Sequence, residues 1–222
     1  MGKNILENNA CVLICAGDFT PMDIEMKEGD MCIAVDGGFL YCKMLGLTPD
    51  LVIGDMDSMD ESVREEIEQM QRETPEKVKE LNPEKDDTDT LAAIRIALEK
   101  GYRQFRIYGA LGGRVEHTIA NIQCLSYLKN QGAKAYIMDA NLMMTVVKDE
   151  TLRFNKAMEG YMSLFALGEK AEGVFIHGMK YLLEDAVVTN DYPIGISNEF
   201  IGEEGQVTVK NGMLLIIVTW AS

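Results

Sequence analysis

Two histidines, one tryptophan and five cysteines are all that this chain of 222 residues has of those three types. Each shortage excludes something. With only His117 and His177 available, a zinc site has little to build on. The cysteines, Cys11, Cys15, Cys32, Cys42 and Cys124, include no Cys-x-x-Cys pair. An odd number of thiols among apolar neighbours predicts reduced, mostly buried side chains in a cytoplasmic protein. Positive charge is scarce as well: 21 Lys and Arg stand against 36 Asp and Glu, for a net charge of −15. Such a surface repels nucleic-acid phosphates, so no nucleic-acid partner is expected, and a phosphate-bearing substrate would arrive with cations. No apolar run reaches the ~18 residues of a membrane span, and the one at Val12-Leu13-Ile14 is too short for a signal peptide. Several nucleotide-binding and catalytic motifs are missing too. There is no Gly-x-x-x-x-Gly-Lys-[Ser/Thr], no Gly-x-Gly-x-x-Gly, no Gly-x-Ser-x-Gly and no His-Glu-x-x-His.

What the chain does have is apolar content, 47% of its residues, ample for a packed core. Fifteen methionines suit adaptable core filling better than metal chemistry. Up to about Ala140 short apolar runs alternate with helical spacing. Runs at 11–16, 31–35, 51–53, 78–81, 105–108 and 135–138 read as strands. Between them the spacing predicts helices over 39–45, with Phe39 and Cys42 inward, and over 59–72, with Val63, Ile67 and Met70 as its stripe. Two more follow, one with Leu91, Ile94, Ala97 and Leu98 as its apolar face, the other over 115–130. Alternation of this kind predicts an α/β domain with a parallel sheet. Beyond residue 140 helical periodicity disappears. Runs at 142–147, 161–166, 173–177, 186–189, 207–209 and 213–219, separated by Gly, Asn and Asp turns, predict a sandwich-like antiparallel β domain. The expected division is therefore 1–140 and 141–222.

Chemistry concentrates in four loops, each at the C-terminal end of a predicted strand or just before a helix. They carry Asp36-Gly37-Gly38, Asp55-Met56-Asp57-Ser58, Asp86-Asp87-Thr88-Asp89 and Gly109-Ala110-Leu111-Gly112-Gly113-Arg114. Parallel strands bring such ends to one rim of the sheet, where ligands of open α/β sheets bind. Gathered there, Asp36, Asp55, Asp57, Asp86 and Asp89 would repel one another without a cation, and hard divalent ions take oxygen ligands. A glycine loop opening a helix offers backbone N–H groups to phosphate, and Arg114 adds a rigid donor fork. Taken singly, each piece has a plainer reading: Asp86 or Asp87 as a helix N-cap, Gly37-Gly38 as a turn, His117 as a satisfied polar group. Together they point to a metal–nucleotide site and the electrostatics of phosphoryl transfer.

The same four segments, with Pro49-Asp50-Leu51-Val52-Ile53-Gly54 leading into the second and Glu84-Lys85 into the third, resemble the ordered motifs of the thiamine pyrophosphokinase family. Gly195-Ile196-Ser197-Asn198-Glu199-Phe200 is similar to the C-terminal signature of its bacterial type. The resemblance spans the chain, and four motifs in order are far more specific than one. It implies an ATP- and metal-binding catalytic domain, a thiamine-binding and dimerising β domain, and a homodimer with the active site near the subunit interface. It implies transfer of pyrophosphate from ATP to the hydroxyl of thiamine, giving thiamine diphosphate and AMP.

On the same ground, Asp55, Asp57 and Asp86 are the implied Mg²⁺ ligands, with Asp36 and Asp89 completing the site. Asp57, Asp86, Asp89 and Arg114 are the implied catalytic set. Asp36, Gly37, Gly38, Thr88, Gly112, Gly113, Arg114 and His117 would hold the nucleotide, and Ser197, Asn198 and Trp220 the acceptor. Ile216 is an alternative to Trp220 as the residue against thiamine. One departure is plain: Glu116 stands where the family usually has Asp. Lying two residues on along a helix, it is expected to point away from Arg114. Two rival functions share these parts, a nucleotide-sugar transferase using Asp-x-Asp and a nucleotide-sensing module without turnover.

Overall fold

The computed structural model describes residues 9–55, 61–81 and 87–220. The chain divides into two compact units, Met1–Asp139 and Ala140–Ser222.

In the first unit, β1 (Ala10–Ile14), β2 (Met31–Val35) and β3 (Leu51–Gly54) are buried at every position. Continuous apolar runs of this length are what a sheet covered on both faces requires. β4 (Val78–Glu80), β5 (Gln104–Tyr108) and β6 (Lys134–Asp139) complete the set. All pairings are parallel, in the order β6-β5-β1-β2-β3-β4. The helices are α1 (Gly38–Met44), α2 (Glu61–Glu73), α3 (Asp89–Glu99) and α4 (Val115–Asn130). A 3-10 turn at Pro75–Lys77 leads into β4. On one side Phe39, Cys42, Val63 and Ile67 pack with Val12, Cys32 and Val52. The stripes expected on α1 and α2 are thus the ones buried, while the proposed N-cap Ser58 lies outside the described residues. The α3 face is turned from the expected one. Thr90, Ala93, Ile94 and Ala97 are buried, and Leu91 and Leu98 are only half-buried. Ala93 and Ala97 let this helix lie close to the sheet around Ile94, and Leu91 and Leu98 sit at the margins of the buried face.

The strand order has one reversal. From β1 the chain steps outward through β2, β3 and β4, then returns to place β5 and β6 on the other side of β1. The crevice between the ends of β1 and β5 is therefore the topological switch point, where ligands of open α/β sheets bind.

The second unit is all β. One antiparallel sheet runs β12-β9-β14-β7, built from β7 (Leu142–Lys148), β9 (Tyr161–Ala166), β12 (Asn198–Glu199) and β14 (Met213–Thr219). The other runs β11-β10-β13-β8, from β8 (Thr151–Phe154), β10 (Lys170–His177), β11 (Leu183–Thr189) and β13 (Gly205–Asn211). Met162, Leu164, Leu214 and Ile216 from the first sheet and Val174, Ile176, Val207 and Val209 from the second share one buried cluster. The expected sandwich-like arrangement is present. β8 and β12, short and with few buried positions, carry no apolar run to betray them.

Candidate active site

A cavity of about 350 Å³ opens at the switch point. Its walls are the segments that leave β1 (Cys15, Ala16, Gly17), β2 (Val35, Asp36) and β5 (Gly109, Ala110, Gly112, Gly113, Arg114), closed by Thr90 of α3 and by His117 and Asn121 of α4.

The walls fit because of backbone proximity. Gly17 N–H donates to the Gly109 carbonyl at 2.7 Å and Asp18 N–H to the Leu111 carbonyl at 2.8 Å, so the β1 and β5 loops are laced together. Tyr41, stacked on Phe19 at 4.7 Å, donates its hydroxyl to the Gly17 carbonyl at 2.9 Å. A side-chain carbon on Gly109 would lie 2.4 Å from the Cys15 carbonyl oxygen, and the residue has φ +60°. Only glycine meets both demands.

Of the residues expected to hold nucleotide, Asp36, Gly112, Gly113, Arg114 and His117 meet at this cavity. Asp36 follows β2 with φ 50°, and its carboxylate lies over Gly54, where an added carbon would come within 2.0 Å of Oδ1. The end of β2 thus leans on the end of β3, beside Asp55. Asp55 lines a second cavity of about 210 Å³ with Arg64, Glu68, Gln71 and Glu80. Asp89 is half-buried in the first turn of α3.

Three expected residues do other work. Gly37 and Gly38 start α1 instead of lining the cavity. Gly38 is buried so tightly that a side-chain carbon would meet the Ile14 carbonyl oxygen at 1.9 Å. Thr88 is exposed and is the N-cap of α3, its Oγ1 accepting from Leu91 N–H at 3.2 Å. That role is therefore not filled by Asp87, which pairs with Arg95 at 2.6 Å. Asp57 and Asp86 lie outside the described residues. Among the described residues no group of three or more His, Cys, Asp and Glu side chains could hold a metal ion.

The expectation for Glu116 is overturned. Arg114 Nε and Nη2 each stand 2.7 Å from Glu116 Oε1. Arg114 is the N-cap of α4, in extended conformation. It stands outside the helix, so helical angles do not separate the two side chains. The Glu116 carboxyl is held below its ordinary range, first by its own backbone N–H and then by Arg114. Both side chains are exposed, 72% and 64%, and exposed pairs hold weakly. A phosphate group could take the guanidinium from Glu116 at small cost.

Sequence reasoning missed Cys15, Thr90 and Asn121. Cys15 Sγ and Thr90 Oγ1 are 3.7 Å apart, both buried, and burial pushes the thiol up to about 12. A thiol that stays protonated at neutral pH is a poor nucleophile. Asn121 donates to the Ala110 carbonyl at 2.8 Å. Only its four-residue spacing from His117, one helical turn on, could have drawn attention to it.

In the second unit, Ser197 is exposed, with φ 54° and its N–H on Ser163 Oγ at 3.0 Å. Asn198 does not present its amide to a ligand. It is 2% exposed, its Oδ1 accepts from Tyr181 and Glu199 N–H at 2.9 Å each, and its Nδ2 donates to the Tyr181 carbonyl at 2.6 Å. Trp220 packs against the β cluster and donates Nε1–H to the Ala140 carbonyl at 3.0 Å. Ile216 is fully buried within the unit.

Comparison with known proteins fits both units. The thiamin pyrophosphokinase catalytic domain model matches residues 22–137, and the thiamin pyrophosphokinase vitamin B1 binding domain model matches residues 149–214. Thiamine pyrophosphokinase of Bacillus subtilis (strain 168) is 30% identical over 198 residues, covering 86% of this chain and 87% of its own. A crystal structure of thiamine pyrophosphokinase from Bacillus subtilis superimposes with a TM-score of 0.83 at 25% identity, over 97% of this chain and 100% of that one. One of a thiamin pyrophosphokinase family protein from Enterococcus faecalis gives 0.80 at 28% identity, over 96% and 99%. The chain therefore belongs to the thiamine pyrophosphokinase family, and it is a pyrophosphotransferase enzyme.

Proposed function

We propose that this protein transfers the terminal pyrophosphoryl group of ATP to the hydroxyl of thiamine, releasing thiamine diphosphate and AMP. The observation that carries the reading is the cavity at the switch point, where a glycine loop, a helix N-terminus and Arg114 converge beside Asp36. That is an anion cradle facing an acid, as a metal-bound polyphosphate needs. Family membership supplies the acceptor and favours neither the nucleotide-sugar transferase nor the silent sensor.

Carboxylate oxygens are the donors that Mg²⁺ takes, few from the protein and the rest from water. Asp36, pressed over Gly54, Asp55 and Asp89 do not by themselves make a metal-holding group, so in this reading Asp57 and Asp86 would complete the set. A bound Mg²⁺ would neutralise phosphate charge and lower the barrier to attack at phosphorus. The chain's own part is positional. The loop 109–113 would hold the phosphate chain by its N–H groups, and Arg114 would leave Glu116 to pair with phosphate oxygens. His117 would donate from the cavity wall. A rim Asp would accept the thiamine hydroxyl's proton.

The second unit would supply acceptor binding. Asn198 acts there by fixing the Tyr181 backbone, and Ser197 and Trp220 remain the proposed contacts. Tyr161 and Phe165 are exposed on one face of β9, the kind of outward apolar position an association would cover. They support a homodimer with thiamine bound near the contact. The direct test is whether AMP release from ATP depends on both thiamine and Mg²⁺. AMP formation indifferent to thiamine would defeat the reading.

A further inference from the structure

The backbone carbonyls of the segment 108–112 all have partners. The carbonyls at the end of β5 and in the loop after it are taken up by hydrogen bonds one after another. Those of Tyr108, Gly109 and Leu111 accept from the N–H groups of Cys15, Gly17 and Asp18, at 2.8, 2.7 and 2.8 Å. The remaining two are drawn toward α4, Ala110 by Asn121 Nδ2 at 2.8 Å and Gly112 by Thr118 Oγ1 at 3.5 Å. A carbonyl oxygen turned into an anion site repels its ligand, whereas N–H groups turned inward attract it. Of the carbonyls from Tyr108 to Gly112, backbone lacing handles three, and side chains of one helix handle the other two. Asn121 makes the shorter of those bonds and is itself only 7% exposed, with its side chain on the cavity wall.

We infer that Asn121 is a positioning residue for the polyphosphate of the nucleotide: by holding the Ala110 carbonyl against α4, it keeps the loop's N–H groups turned into the cavity. The inference rests on the nucleotide reading of this cavity, and not on thiamine being the acceptor. The bond is local to the loop, so loss of the amide donor should weaken phosphate binding and leave acceptor binding alone. Asn121→Asp makes the sharpest change, since it keeps the shape and sets an acceptor against an acceptor beside an anion site. Thr118→Val is the milder partner, removing the longer bond at a half-buried position where the fold tolerates it.

The experiment is titration calorimetry of the full chain with Mg·ATP, in parallel with steady-state kinetics varying ATP and thiamine separately. The expected result is at least tenfold weaker Mg·ATP binding for Asn121→Asp and a two- to fivefold loss for Thr118→Val, roughly the scale of one hydrogen bond gained or lost. Thiamine KM stays within twofold of wild type, and circular dichroism reports a folded protein. Mg·ATP affinity within threefold of wild type in folded Asn121→Asp overturns the inference. If that variant does not fold, Asn121→Ala, which only removes the donor to Ala110, decides instead, and an unchanged Mg·ATP affinity in it overturns the inference. A wild-type protein that binds Mg·ATP but leaves thiamine untouched defeats the proposed activity alone, because the binding comparison still decides the role of Asn121.

Discussion

At the scale of the residue, Arg114 and Glu116 show how a local misreading arises. Helical geometry separates positions two apart, yet one of these residues precedes the helix, and the guanidinium folds back onto the carboxylate. If that contact stands in for phosphate, the two side chains respond differently to substitution. Arg114→Lys loses a two-pronged contact, and steady-state kinetics should show KM for ATP raised about ten- to a hundredfold, the worth of a charge-assisted hydrogen bond. Glu116→Gln frees the guanidinium and should lower that KM roughly twofold, in keeping with a weak exposed pair. A larger loss from Glu116→Gln than from Arg114→Lys would place Glu116 in the chemistry. The buried thiols give a second prediction. Cys15 and Cys124 are pushed up to about 12 and about 11, and Cys11 is raised as well, chiefly by burial. Their folded values exceed their unfolded ones, so their contribution is complete below about pH 9 and is lost as pH rises toward 11–12. The thermal midpoint should fall steadily across that range, and Cys15→Ala should flatten the fall. A midpoint flat up to pH 11 would contradict the burial of these thiols as the cause.

At the scale of the element, the strands were legible because a sheet covered on both faces demands unbroken apolar runs, and β1, β2 and β3 provide them. The loops carrying Asp36 and Gly109–Arg114 were legible for a related reason: parallel pairing forces their ends to one rim. What stayed hidden depends on contacts between elements. Asn121 matters only because α4 lies beside Ala110, and the close approach of Gly38 to the Ile14 carbonyl shows only once α1 is packed on β1. The rotation of α3 likewise follows from how near it lies to the sheet, which periodicity does not encode. Glycines separate these cases by experiment. Gly38→Ala would drive a carbon to 1.9 Å from a backbone carbonyl oxygen, and a loss above about 4 kcal/mol, or no folded protein, is expected. Gly113 has φ +58° with nothing within 4 Å of an added carbon, so Gly113→Ala should cost only about 1–2 kcal/mol of strain. Denaturant unfolding of both variants checks the contrast, and equal losses would refute the close packing of α1 on β1.

At the scale of the whole molecule, two units of different architecture match two family models in order. The acidic chain, net −15, suits a substrate that comes with cations, and Tyr161 and Phe165, exposed on one face of β9, suit the proposed second copy. Sedimentation should find a dimer. Tyr161→Lys combined with Phe165→Glu, both on outward positions of β9, should yield monomers whose KM for thiamine rises more than that for ATP. A folded monomer with unchanged thiamine KM would remove the shared pocket. The central claim, though, is transfer of two phosphoryl groups together, and product identity tests it most directly. Mass spectrometry after incubation with ATP, Mg²⁺ and thiamine should find AMP and thiamine diphosphate in equal amounts. ADP with thiamine monophosphate, or ATP consumed with no thiamine ester formed, would contradict it.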